Sequence, residues 1–217
     1  MELNLFVYVL LIFCIPYLLY SNFRIQPRKG FSILFISVIS SVAILKFTIL
    51  SIFGIVPLIL SLFIDKKKYY IYLYGTSFVI LNYQLLIELD VSLFNLILSS
   101  VFPISLISGV FSSMMIGHWF LVDPTISKQG MKRIAFFCTL HSLTIIPLVF
   151  FEFIGEDIEN LYKNVILFLY FSTSILSFAS FKSLGEKSYT GVMASTGLSY
   201  LSLIVSLGAS GGLLLLA

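Results

Sequence analysis

His118 and His141 are the only histidines in the chain, and both fall inside long apolar runs. Their unperturbed pKa lies near neutrality, and an ionisable group inside a membrane segment points by default to a function. Three chemistries suit such a pair. A b-type haem takes two imidazole ligands, and Met114 and Met115 lie one turn before His118. A proton-handling or quinone-binding site uses the same rings as titratable hydrogen-bonding groups. In the third, structural account each ring bonds a neighbouring helix and does nothing more.

Spacing weighs these readings. The connection 123–131 is short, so the helices carrying the two histidines are expected to be antiparallel neighbours. His118 lies about 6 Å from the cytoplasmic end and His141 about 13 Å, at 1.5 Å per residue. An offset of about 7 Å is awkward for a haem gripped from both faces by straight helices, so quinone stands ahead of haem. A shared pocket in the cytoplasmic third would be lined by Met114, Met115, His118, Cys138, His141 and Ser142. Thr144 follows His141 by three residues, and Pro147 leaves the Leu143 carbonyl without its usual donor. Such a polar, slightly broken helix can line a cavity.

Beside His118 stands Trp119, the only tryptophan, where the aromatic belt of a membrane protein is expected. Asp123-Pro124 ends the helix, and Thr125 or Ser127 can cap the next one. His118, Trp119, Asp123, Lys132 and Arg133 gather a proton-active ring, an acid and two cations at one membrane face. An anionic lipid or cofactor headgroup fits there, and so does ordinary positive-inside charge.

These residues must be held by membrane helices. The chain has 217 residues, 59% of them hydrophobic and 11% charged, with mean hydropathy +1.07. Soluble domains are about a quarter charged. Apolar segments near 3–20, 31–47, 50–64, 70–87, 102–122, 132–153, 163–182 and 192–216 recur through the whole length. The class is an all-α polytopic transmembrane bundle, with 1–217 as one integral membrane domain. The central segment carries Ser105, Gly109, Ser113 and Gly117 at every fourth position, a small-residue stripe that lets a neighbouring helix approach closely. The last segment has its own small residues, from Gly191 to Gly212.

Charge sets the expected topology. Arg24, Arg28, Lys29; Lys66, Lys67, Lys68; Lys128, Lys132, Arg133; and Lys182, Lys187 occupy four loops. All four fall on one side only if 31–64 is a hairpin of two short helices, with Lys46 near its outer turn. A single helix would make seven spans. The hairpin makes eight, with both termini extracytoplasmic and acidic outer loops at Glu88, Asp90 and 152–159. Val91–Val101, including Asn95, reads as an interfacial piece broken from the central span at Pro103. The N-terminus lacks the basic region and cleavage pattern of a signal peptide and reads as a retained first helix. The expected location is the cytoplasmic (inner) membrane or an equivalent energy-transducing one.

Cys14 and Cys138 lie apart, without metal or redox spacing. No Walker, HExxH, GxSxG or CxxCH motif occurs, and no basic patch suggests nucleic acid. No acid is expected inside the bundle, since Glu88, Asp90 and Glu152 fall at outer ends, which counts against an ion-coupled pump. Three functional classes follow. The first is a small redox-associated membrane subunit or enzyme that binds a lipophilic partner (quinone before haem) near the cytoplasmic face. The second is a permease for a small solute, and the third an assembly or scaffold subunit of a membrane complex. Expected partners are the lipid bilayer and other membrane subunits.

Overall fold

A computed structural model of the chain describes residues 3–64, 66–88, 97–156, 158–186 and 188–216. Every regular element among them is helical. Helix α1 (Leu3–Tyr20) ends in a wide π-type turn, Ser21–Ile25, closed by Gln26 at φ 58° with its N–H on the Ser21 carbonyl. Helices α2 (Lys29–Ser40), α3 (Val42–Leu45) and α4 (Ile49–Ser61) follow, then α5 (Lys68–Glu88). A second π-type turn, Ile97–Val101, leads into α6 (Phe102–Val122). Helices α7 (Lys128–Phe150), α8 (Asn160–Ser183) and α9 (Tyr189–Leu216) complete the fold.

Six helices are long and apolar enough to cross a membrane: Leu3–Ile25, Lys68–Ile87, Leu98–Val122, Lys128–Phe150, Asn160–Ser183 and Tyr189–Leu216. The stretch 31–64 forms two shorter apolar arms, Lys29–Leu45 and Ile49–Ser61. Lys46 leaves helical geometry at φ −137°, and the Thr48 hydroxyl caps α4 by accepting the Ser51 N–H at 3.2 Å. At the tip of this hairpin the Lys46 ammonium sits 5.6 Å from the Tyr8 ring centre, and the Ser51 hydroxyl bonds Gln84 at 2.8 Å. At its base the Ser32 hydroxyl donates to the Asn22 side-chain carbonyl, and the Asn22 amide donates to the Tyr74 hydroxyl. Tyr8 and Asn22 are about 21 Å apart along α1 at 1.5 Å per residue, less than a hydrocarbon core of about 30 Å.

The expected interfacial piece lies mostly outside the described residues, since 91–96, with Asn95, are not among them. Pro103 does not end the helix. The backbone runs on through Val101, at φ −65° and ψ −42°, and the missing Pro103 donor falls where the winding changes from π-type to α.

Helix α6 is the axis of the bundle. Two-thirds of its span is buried, against 28–44% for the other five long helices. It packs on α1, α7 and α9. The small residues explain how three neighbours come close. Each step of four residues turns 40° past a full circle, so the stripe winds by about 120° between Ser105 and Gly117. A methyl group on Gly109 would lie 2.5 Å from the Tyr17 hydroxyl of α1 and 3.0 Å from the Cys138 sulfur of α7. Ser113 lies 3.5 Å from Ser199 of α9, and a methyl on Gly117 would meet Thr196 of α9 at 2.5 Å. The stripe therefore serves three helices in succession instead of one groove for one partner.

Helices α8 and α9 are joined by buried hydroxyls. Ser177 meets Ser202 at 3.0 Å, and Ser180 meets Ser195 at 2.7 Å. The Tyr170 hydroxyl lies 3.0 Å from Ser210, which itself donates to the Pro103 carbonyl of α6. Serine is small enough for close approach and can satisfy its hydroxyl across the interface, the combination that holds helices together in lipid. Outside this seam, Lys163 pairs with Glu152 at 2.6 Å where α8 begins.

Two glycines test the packing. Gly197 on α9 has open space where a methyl would go, whereas Gly109 has none. Gly109→Ala is expected to cost about 1–3 kcal/mol by overpacking. Gly197→Ala is expected to gain up to about 1 kcal/mol from helix propensity. Thermal unfolding of the two variants in detergent measures both, and equal shifts would contradict the close approach at Gly109.

Candidate functional site

A cavity of about 680 Å³ lies between α1, α6 and α7. Helix α1 contributes Phe13, Pro16, Tyr17 and Tyr20, a stripe at helical spacing. Helix α7 contributes Arg133, Phe137, His141 and Thr144, again one face of one helix. Phe102 and Ser105 close it from α6. Arg133 and Thr144 lie about 16 Å apart along α7, so the cavity is elongated. Its walls are mainly aromatic and aliphatic, with a cation toward one end.

His141 supplies the polar centre. It is 8% exposed, and its Nε2 lies 3.1 Å from the Phe102 carbonyl oxygen. A carbonyl oxygen only accepts, so Nε2 carries the proton and donates. In the neutral ring the other nitrogen, Nδ1, is then an acceptor. Nδ1 is buried and has no hydrogen-bond partner among the described residues. The ring is held by Phe102 at 4.4 Å and Phe137 at 6.0 Å between centres. The Tyr20 hydroxyl, on the opposite wall, is also buried without a partner among the described residues. A buried polar atom without a partner is costly, and two residues that line this cavity, His141 and Tyr20, each carry one.

The remaining residues expected at the site are placed elsewhere. His118 is exposed on the last turns of α6 and does not line the cavity. It lies on the order of 20 Å along α6 from Phe102, against which His141 rests. The two histidines do not share a pocket, and the pair does not fit a haem held from both faces. The depth argument places His141 too shallow because α7 begins at Lys128, a full turn before the expected 132. Met114 is buried and Met115 half-buried against the core. Cys138 is buried against Gly109 and beside the seam serines Ser177, Ser180, Ser199 and Ser202. Ser142 donates to the Tyr170 carbonyl at 2.7 Å and so ties α7 to α8. These last two lie 60° and 100° around the helix from His141, which is enough to turn them away from the cavity. Arg133, Phe137 and His141, spaced by four, are the signal in the sequence that marks the correct face.

At the membrane face, Trp119 packs inward rather than toward lipid. Its ring lies 5.9 Å from that of Phe31, and a methyl on Gly30 would meet it at 3.0 Å. Asp123 is buried, and its carboxylate accepts from the Thr125 hydroxyl and N–H and lies 3.4 Å from the Arg28 Nε. It therefore clasps the turn after α1 rather than joining Lys132 and Arg133. The Ser127 N–H, on the Ile25 carbonyl, closes the same clasp.

No protein-family model matches the chain, and neither a curated protein nor a solved structure gives a significant match. The apolar helices make this a multi-pass helical membrane protein by their length and composition, and its function must be argued from the site.

The clasp gives a pH dependence. The Thr125 hydroxyl, with the Thr125 N–H and Arg28 adding to it, holds the Asp123 carboxyl below the usual carboxylate range, against the opposing effect of burial. A depressed folded-state pKa stabilises the fold above the unfolded value, about 3.9, and that contribution is lost as pH falls through the folded value. The unfolding temperature is expected to drop below about pH 4, and to drop less in Asp123→Asn. Identical pH profiles for the two proteins would contradict the clasp.

Proposed function

We propose that the protein binds a lipophilic ligand of the quinone class in the α1–α6–α7 cavity, as a small redox-associated subunit or enzyme of the cytoplasmic membrane. The observation that carries this reading is His141, whose ring lines an apolar cavity with Nε2 fixed by Phe102 and with Nδ1 buried without a partner among the described residues. An acceptor selects a hydroxyl-bearing head, so the favoured form is the quinol, the reduced member of the class. Bound there, its hydroxyl donates to Nδ1. Phe102 and Phe137 flank the imidazole closely enough to stack on an aromatic head. An isoprenoid-like tail would lie along the aromatic wall of α1.

The topology proposed with it has eight crossings, with the hairpin Lys29–Ser61 counted as two short ones and both termini outside. Arg24, Arg28, Lys128, Lys132 and Arg133 then share the cytoplasmic face. Lys46, at the hairpin tip with its ammonium over the Tyr8 ring, then lies toward the outer interface.

Binding of a short-chain benzoquinol, its quinone and its dimethyl ether to the purified protein in detergent tests the reading. The quinol is expected to bind about two- to tenfold more tightly than the ether, the worth of one hydrogen bond. His141→Phe is expected to remove that difference while leaving the apolar fit. Equal affinity for quinol and ether in the unaltered protein would overturn the proposal.

A further inference from the structure

A second cavity, of about 380 Å³, lies on the other side of α7, between it and α8. Gln129, Lys132 and Arg133 form its polar end, and Phe136, Leu140 and Phe181 its apolar remainder. Arg133, Phe137 and Leu140 line this groove and the cavity beside His141 alike, so they form the ridge between the two. Lys132 places its ammonium 5.2 Å from the Phe181 ring centre, and Phe181 packs on Phe136 at 5.4 Å. No carboxylate of a described residue pairs with Lys132 or Arg133. Lys128 is positioned differently, since its ammonium reaches the Glu186 and Ser188 carbonyls and braces the loop between α8 and α9.

We infer that this groove binds one anionic phospholipid of the surrounding bilayer. Its phosphate sits between Lys132 and Arg133, with the Arg133 guanidinium able to make paired hydrogen bonds to phosphate oxygens. Gln129, one turn earlier, offers an amide to the rest of the headgroup. One acyl chain runs past Phe136 to Leu140, one and two turns deeper on the same helix face. The order of the residues along α7 supports a lipid rather than a soluble anion: the cations come first, at the helix end, and the apolar floor follows toward the membrane interior. Charge complementarity selects an anionic headgroup over a zwitterionic one, because two cations face the phosphate and no carboxylate of a described residue is paired with either.

Native mass spectrometry tests it, on protein extracted from mixed vesicles of phosphatidylglycerol and phosphatidylcholine. One phosphatidylglycerol is expected to be retained in preference to phosphatidylcholine. Lys132→Gln with Arg133→Gln should lower that retention on the order of 30-fold, from about fivefold per cation. Lys66→Gln with Lys67→Gln removes the same charge elsewhere and should leave retention unchanged. Lys132→Arg with Arg133→Lys keeps the charge and should keep the lipid, which separates loss of binding from loss of folding. Equal loss in both neutralised variants would reduce the effect to general surface attraction and overturn the site. Retention abolished by millimolar inorganic phosphate would overturn it in favour of a soluble anion, and equal retention of phosphatidylcholine would remove the role of charge.

Discussion

Lipid supplies no hydrophobic drive between helices, so a membrane bundle must be held by close contact and by hydrogen bonds between helices. In this chain both requirements meet on α6. Gly109 lets the Tyr17 hydroxyl and the Cys138 sulfur approach its backbone, and Gly117 does the same for Thr196. The α8–α9 seam uses hydroxyls for the same purpose and reaches α6 through Ser210 and the Pro103 carbonyl. Without the close approach at α6 there would be no fixed spacing between α1 and α7, and the cavity between them depends on that spacing.

The same hydrogen-bond economy defines the site. Phe102 lies at the start of α6, and its carbonyl accepts from both the Ser105 hydroxyl and His141. That one carbonyl fixes the tautomer of the ring and so decides which kind of ligand atom the other nitrogen can meet. A residue that only packs contributes shape. His141 contributes a hydrogen bond of fixed direction as well, and it does so from a helix that also carries Arg133 at the end of the cavity.

Much of the architecture was legible in the sequence because it follows from length, hydropathy and period. The long helices fall close to the expected segments, and the central one is the most buried. The break at Lys46 was readable from the charge of the flanking loops. The site was less legible. Two histidines in one sequence suggest a pair, but their side chains leave α6 and α7 in unrelated directions, and only three-dimensional packing settles that. Cys138 and Ser142 are near His141 in number and not in angle. The serine seam was missed because its residues are individually ordinary. Ser195, Ser199, Ser202, Ser206 and Ser210 recur at three or four residues, and that period is the evidence for a buried face. Sequence proximity groups Asp123 with Lys132 and Arg133, whereas its ionic partner, Arg28, comes from a turn far earlier in the chain.

The central claim is that Nδ1 of His141 is a buried acceptor awaiting a donor. Nitrogen-15 NMR of imidazole-labelled protein measures it directly, with His118→Gln used to leave His141 as the only histidine signal. The account predicts an unprotonated Nδ1 and a protonated Nε2, with the Nδ1 resonance shifting when a benzoquinol is added and staying put with its dimethyl ether. A proton on Nδ1 in the free protein, or a resonance indifferent to the quinol, would contradict it.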